Sequence, residues 1–326
     1  MLYLVVVAHI DPGRTYIDDP GVLNFLISFV AEGVVRVTIS MLTCMSGFLV
    51  FHKALDLNFS VLVRKRASAL VAPLLLWNVP LVLVLYLVQS QGLVDHDFAA
   101  RKTMYPFDLM TWLNGVFSLT DYPVNFPMYF VRDLFVISLL APLTGALIRR
   151  APYPGLIAFL AVFSLDLDGS LILNDAMFVT FYIGGMAAIQ KWDLRRLDRY
   201  AGLMIASLLL ICCVFATAAP VDPFWLRVSA PFLVWPVFSL LAGTRLGAWL
   251  GAHARASIFL FMLHGVLVLI LRAEWPQLYG GKVSFLVWLA TPVCIAVLCQ
   301  ITYLVLARFA PSFLTVLLGG RRPVTR

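Results

Sequence analysis

The chain has 326 residues, of which 62% are apolar and only 13% charged, with a mean hydropathy of +0.93 and a net charge of +7. Soluble domains sit near 45–50% apolar and about 25% charged, so a soluble globular protein, a disordered chain, a collagen and a small disulfide scaffold are excluded. Long apolar runs also exclude a membrane β-barrel, whose strands alternate apolar and polar residues. What remains is an all-α fold, a polytopic bundle of membrane helices forming a single domain over residues 1–326, and basic loops explain the charge without nucleic acid.

A helix needs about 20 apolar residues to cross a bilayer. In chain order the sequence predicts ten spans, at 1–10, 22–51, 67–90, 127–148, 154–165, 173–190, 200–219, 225–243, 257–271 and 283–307. The first is incomplete: ten residues make about 15 Å of helix, half a bilayer. It also lacks the basic start and cleavage site of a signal peptide. The first helix therefore reads as truncated, with the natural start about 10–20 residues earlier. Arg64, Lys65, Arg66, Arg149, Arg150, Lys191, Arg195, Arg196 and Arg199 fall in one alternate set of loops. The other set holds fewer basic residues, among them Arg14, Arg101 and Lys102, and most of the acids. The positive-inside rule then puts both termini in the cytoplasm. The loop between the third and fourth spans carries an amphipathic stretch, Phe107 to Leu119. It reads either as a helix on the membrane interface, with Trp112 and Phe117 as anchors, or as a lid over an acceptor site.

Charges inside a membrane are costly, which makes them functional candidates. Glu32 and Arg36 stand at i, i+4, where they can pair. Arg36, Ser40, Thr43 and Gly47 continue one helix face, which would either line a cavity or let two helices pack closely. Arg132 and Asp133 are adjacent, so they are expected to face different partners, in an ion-pair network or a ligand site. Arg227 starts a span and is expected to snorkel to the interface. His9 and His264 lie in apolar runs, where a structural role competes with a catalytic one. The Arg64-Lys65-Arg66 cluster serves either topology and lipid contact or phosphate binding. There is no nucleotide-binding glycine loop, no H-E-x-x-H and no G-x-S-x-G. No His, Asp and Glu set has metal-ligand spacing, so no metal is expected. Cys44, Cys212, Cys213, Cys294 and Cys299 read as small buried hydrophobes.

Taken in order, these pieces resemble the acyltransferase-3 family of integral membrane acyltransferases. VVVAHI resembles its first-helix histidine motif, and ISMLTCMSGFLVF its second-helix motif ending at Ser46, Gly47 and Phe48. LVRKRASALVAPLLLWN resembles the basic entry to its third helix, with Arg64, Arg66 and Pro73. DYPVNFPMYFVRDLFVISLLAPL resembles the stretch in which an aromatic pair precedes an arginine, here Arg132, and FYIGGM and SIFLFMLHGVLV resemble later motifs. The family usually has an arginine eleven residues before its histidine, a position that would precede Met1.

The resemblance implies an enzyme of the inner membrane. It would move an acyl group, acetyl first and succinyl second, from cytoplasmic acyl-CoA to a sugar hydroxyl. The acceptor would be an exopolysaccharide, a lipopolysaccharide, a periplasmic glucan or a lipid-linked saccharide, with membrane lipids as surroundings. Such chemistry asks for a base on the hydroxyl, donors for the oxyanion and cations for the CoA phosphates. On this reading His9 is the general base and Arg132 the second catalytic residue. Arg36, Ser46, Arg64, Arg66 and His264 bind the donor. The competing class is a transporter or flippase of a lipid-linked saccharide, which predicts paired repeats and matching broken helices.

Overall fold

A computed structural model describes Val6 and residues 21–93, 102–217, 222–253, 256–279 and 285–320. Among the described residues every regular element is a helix. The predicted first span lies outside them except for Val6, which is helical and buried.

The second predicted span is not a continuous α-helix. It runs as α1 (Val22–Ser28), a π-helical turn (Phe29–Val34) and α2 (Val37–His52). There the Val35 N–H reaches back five residues to the Val30 carbonyl at 2.9 Å, winding one extra residue into the turn. A second π turn, Ala67–Val71, joins α3 (Phe59–Arg66) to α4 (Ala72–Ser90). Asn58 starts α3, its Oδ1 accepting from the Val61 N–H at 3.2 Å. The helical run therefore begins earlier than expected, and Arg64, Lys65 and Arg66 stand within it.

The amphipathic stretch forms α5 (Leu109–Phe117), capped by Asp108, which accepts from the Thr111 N–H at 2.7 Å. It packs inward on α4 rather than standing alone. Val116 shares a cluster with Val82 and Leu85, and the Trp112 indole N–H donates to the Met104 carbonyl at 3.1 Å. Gln89 at the end of α4 holds the strand of chain before α5. Its Oε1 accepts from the Met104 N–H at 2.7 Å and its Nε2 donates to the Lys102 carbonyl at 3.0 Å. Beyond α5 the chain dips back into the bundle. The Asn125 N–H donates to Asn78 Oδ1 at 3.0 Å and its Nδ2 to the Met262 carbonyl at 2.9 Å, joining this loop to two long helices.

The fourth predicted span is broken. Helices α6 (Tyr129–Leu139) and α7 (Ala141–Arg150) meet at a 57° bend, where Pro142, without an N–H, opens the second. There follow α8 (Pro152–Ser164), α9 (Ala176–Ile189), a 3-10 stretch (Leu194–Tyr200) and α10 (Ala201–Thr217). The last are α11 (Phe224–Leu241), α12 (Arg245–His253), α13 (Ser257–Tyr279), α14 (Phe285–Phe309) and α15 (Pro311–Leu317).

Among the described residues, five helical runs are long and apolar enough to cross a membrane: Phe25–His52, Phe59–Ser90, Leu194–Thr217, Phe224–Leu241 and Trp288–Phe309. The bent α6–α7 pair is a sixth when read as one span, and Pro152–Ser164, Ala176–Ile189 and Ser257–Leu271 are shorter apolar helices. Together they fall on every span predicted from residue 22 onward. Leu203, Leu210, Ile301 and Leu304 remain exposed on the outer helices α10 and α14, as a lipid-facing surface requires.

Helix α9 is the centre of the bundle, buried at every residue from Ala176 to Ala187. It lies backbone to backbone on α2. A Cβ on Gly47 would stand 2.2 Å from the Phe181 carbonyl oxygen, and one on Gly184 would stand 2.0 Å from that of Cys44. At Gly47, close helix packing is therefore the reading that holds for the small-residue face of α2.

Candidate functional site

The chain places its charged and polar candidates at two ends of the bundle. At the end formed by the loops before α6 and α9, Arg36 leaves the first π turn and its Nε donates to Glu32 Oε2 at 3.0 Å, with Nη2 making a second contact. Val35, just before it, packs in one apolar cluster with Val6, Ile27, Val268 and Trp288. This cluster draws together the segment at Val6, the turn bearing Arg36 and helix α13, on which His264 lies one turn before Val268. Val37, just after Arg36, packs on Leu226 and Ala230 of α11. That contact sets Arg227 beside Arg36, close enough for the two guanidiniums to repel.

Tyr122 and Tyr129 border the same space, their rings edge to face with centroids 5.1 Å apart. Burial pushes the Tyr122 hydroxyl up from its ordinary pKa; Arg227 and Arg36 oppose that rise, while Asp133 and Asp121 add to it. Asn174, buried just ahead of α9, has a side-chain oxygen with no hydrogen-bond partner.

Arg132 and Asp133 do pair with each other, contrary to expectation for helix neighbours. Asp133 is fully buried, and the long Arg132 side chain bends round so that Nη1 meets Asp133 Oδ1 at 2.9 Å. The same guanidinium donates to the Leu171 carbonyl and, at 2.8 Å, to that of Leu119, and Asp133 Oδ2 accepts from the Asn174 N–H at 3.1 Å. Arg132 thereby fastens three chain segments, and both of its Nη nitrogens are engaged by protein.

At the opposite end, Arg66 Nη2 donates to Ser46 Oγ at 3.2 Å, bringing together two predicted donor-binding residues from different helices. Arg64 is exposed on the same helix, one turn away at most. Asp56, buried beside them in the chain, is paired with Arg149 Nη2 at 2.6 Å. A cavity of ≈ 300 Å³ lies between α2, α9 and α11, lined by apolar side chains such as Met45, Phe48 and Phe232, with the indole of Trp235 in its wall. Ser46 and Arg36 are ten residues apart, and so about 15 Å apart along the helical run. The structure thus separates Arg36 from Ser46, Arg64 and Arg66. His264 is fully buried, its Nδ1 2.9 Å from the Leu260 carbonyl oxygen of its own helix and its ring against Phe261. His9 lies outside the described residues.

Sequence reading missed three carboxylates, those of Asp166, Asp168 and Asp175, which approach within 4.8 Å of one another. Their spacing along the chain follows no motif; only the fold of the loop before α9 brings them together. Partial burial, helped by repulsion from Asp168 and Asp166, pushes Asp175 up to about 6. A raised carboxylate stabilises the folded state most when protonated. The melting temperature of the detergent-purified protein should therefore fall as pH rises from about 4 to 6. Asp175→Asn should flatten that dependence; an unchanged slope would assign it to other groups.

The chain matches the family described as "Acyltransferase domain" over residues 2–306. It belongs to the acyltransferase-3 family. It is accordingly an acyltransferase, and the helical membrane-type bundle is the fold of a family member. Among characterised relatives it is similar to the succinoglycan biosynthesis protein ExoH of Rhizobium meliloti (strain 1021), with 29% identity over 323 residues, covering 95% of this chain and 86% of the relative. No solved structure matches it. The expected acyltransferase-3 motifs at Ser46, Arg66, Arg132 and His264 all fall on described helices, although Arg132 and His264 are engaged by protein groups there.

Proposed function

We propose that this acyltransferase esterifies a sugar hydroxyl of an exopolysaccharide or of its lipid-linked precursor, taking acetyl or succinyl from acyl-CoA. The observation that carries the reading is the Arg66–Ser46 contact at one end of the bundle, about 15 Å along the helix from the Arg36 cluster at the other. The similarity to a succinoglycan biosynthesis protein supports a polysaccharide acceptor. On this proposal the basic end faces the cytoplasm of a bacterial inner membrane. There Arg64 and Arg66 meet the CoA phosphates as charge-assisted donors, and the apolar cavity beside α2 has room for part of the donor arm.

The acceptor would approach from the other end. His9, neutral near pH 7, takes the hydroxyl proton as the sugar oxygen attacks the thioester carbonyl. The oxyanion of the tetrahedral intermediate is held by hydrogen-bond donors. Collapse forms the sugar ester and expels the CoA thiolate, which recovers the proton. Purified protein, labelled acyl-CoA and a polysaccharide acceptor test the proposal, with label expected in alkali-labile ester on the sugar. Absence of transfer, with label-free movement of a lipid-linked saccharide instead, would favour transport. His9→Ala should lower transfer by about 10²–10⁴-fold while leaving expression and melting temperature intact; full activity would remove His9 as the base.

A further inference from the structure

Arg227 has no part in the proposed chemistry, and its surroundings are those of a binding residue. Arg36 has Glu32, and Arg132 has Asp133. Among the described residues Arg227 forms neither an ion pair nor a side-chain hydrogen bond. Asp222, five residues earlier, instead caps the start of α11, its Oδ1 accepting from the Phe224 N–H at 2.8 Å. A snorkelling arginine would carry its charge away from other cations and out to the interface. Arg227 is held half-buried against a second arginine, in the first turn of α11, where the helix end adds further positive potential. Two guanidiniums approach one another here, with Glu32 bonded to Arg36 and Asp222 the carboxylate near Arg227, and an anion set between them would relieve their repulsion.

The other groups around this space complete a ligand site. Tyr122 presents a hydroxyl that both donates and accepts and a ring that can lie against a sugar, and Tyr129, packed edge to face on it, holds the Asn174 side chain by a hydrogen bond. The Asn174 oxygen, buried and without a partner, offers an acceptor for a hydroxyl. Glu32 engages Arg36 through Nε and Nη2, and among the described residues Nη1 makes no hydrogen bond.

We propose that Arg227, together with Arg36, Tyr122, Tyr129 and Asn174, binds a carboxylate carried by one of the two substrates. This rests on the acyl-transfer reading. The carboxylate is either the far end of a dicarboxylic acyl group such as succinyl, or that of an acidic sugar in the acceptor. The shared chemistry is a carboxylate with hydroxyl-bearing neighbours, matched by a planar guanidinium fork.

Two measurements decide the matter. The first needs no turnover: the melting temperature of the full-length protein in detergent, with succinate or glucuronate against the neutral succinamide or glucose. Wild type should be protected by a carboxylate and not by its neutral counterpart. Arg227→Gln should lose that protection, Arg227→Lys should keep part of it, and Arg196→Gln, an exposed arginine elsewhere, should keep all of it. Equal shifts with charged and neutral ligands in wild type overturn the proposal, and so does full protection in Arg227→Gln. If Arg227→Gln fails to fold, the wild-type comparison and the lysine variant still decide.

The second measurement is kcat/KM with paired substrates. If the acyl carboxylate is read, Arg227→Gln lowers the succinyl-CoA to acetyl-CoA ratio by about 10–100-fold. If the acceptor carboxylate is read, the ratio of glucuronate-bearing to neutral acceptor falls instead. Neither ratio moving overturns the proposal. A wild type that transfers no acyl group refutes the proposed reaction, while the binding arm still judges the site.

Discussion

Arg132→Ala is expected to cost the folded protein about 3–5 kcal/mol, because it leaves the fully buried Asp133 carboxyl without its cation. It also strips donors from the Leu119 and Leu171 carbonyls, so the loop after α5 loses this link to α6 and the loop before α9 keeps only its bond from the Asn174 N–H to Asp133. The measurable result is a fall in monodisperse yield and melting temperature in detergent, ahead of any kinetic effect. Removing the partner as well should help: Arg132→Ala combined with Asp133→Ala should melt higher than Arg132→Ala alone. A well-folded Arg132→Ala protein with activity lost would reverse this and return Arg132 to the chemistry expected from sequence.

The second large effect is expected at the crossing of α2 and α9. Gly184→Val puts a branched side chain where even a Cβ would stand 2.0 Å from the Cys44 carbonyl oxygen. Backbone, unlike the end of a flexible side chain, cannot step aside, so the two central helices must separate. Overpacking of an interior costs about 1–3 kcal/mol and occasionally more; here the upper part of that range is expected. Gly202→Ala is the matched control. Nothing lies within 4 Å of its Cβ position in α10, and alanine is the better helix former there. Similar melting temperatures for Gly184→Val and Gly202→Ala would show that α2 and α9 are not in this close contact.

Much of the architecture was legible because a bilayer demands long apolar segments, and such segments need no knowledge of partners. The helices from residue 22 onward illustrate this. What could not be read was where those helices break. The Pro142 bend had a visible cause, but the π turn at Phe29–Val34 contains no proline. Its sequence, FVAEGV, carries only a glycine whose role depends on contact with Cys212 in another helix. The candidate site divided in the same way. Ser46 and Arg66 were matched to motifs and do meet in space. The grouping of Arg227 with Arg36 and Tyr122 joins positions nearly two hundred residues apart in the chain, with no local signal between them. Arg132 and Asp133 misled because spacing rules describe side chains standing straight off a helix, and a long guanidinium arm can curl back to its neighbour.

The extra residue in the first π turn works as a phase shifter. In a regular helix each residue turns the next by about 100°, so one added residue rotates all of α2 by that amount relative to α1. The helix can then present Ile27 to the cluster of α13 and α14, and Gly47 to α9, faces that an unbroken helix would hold in a different relation. Removing a single residue from Phe29–Val34 would therefore act far from where it is made. It would turn the Gly47 groove away from α9 and swing Arg36 out of line with Arg227, misaligning both ends of the bundle through one helix.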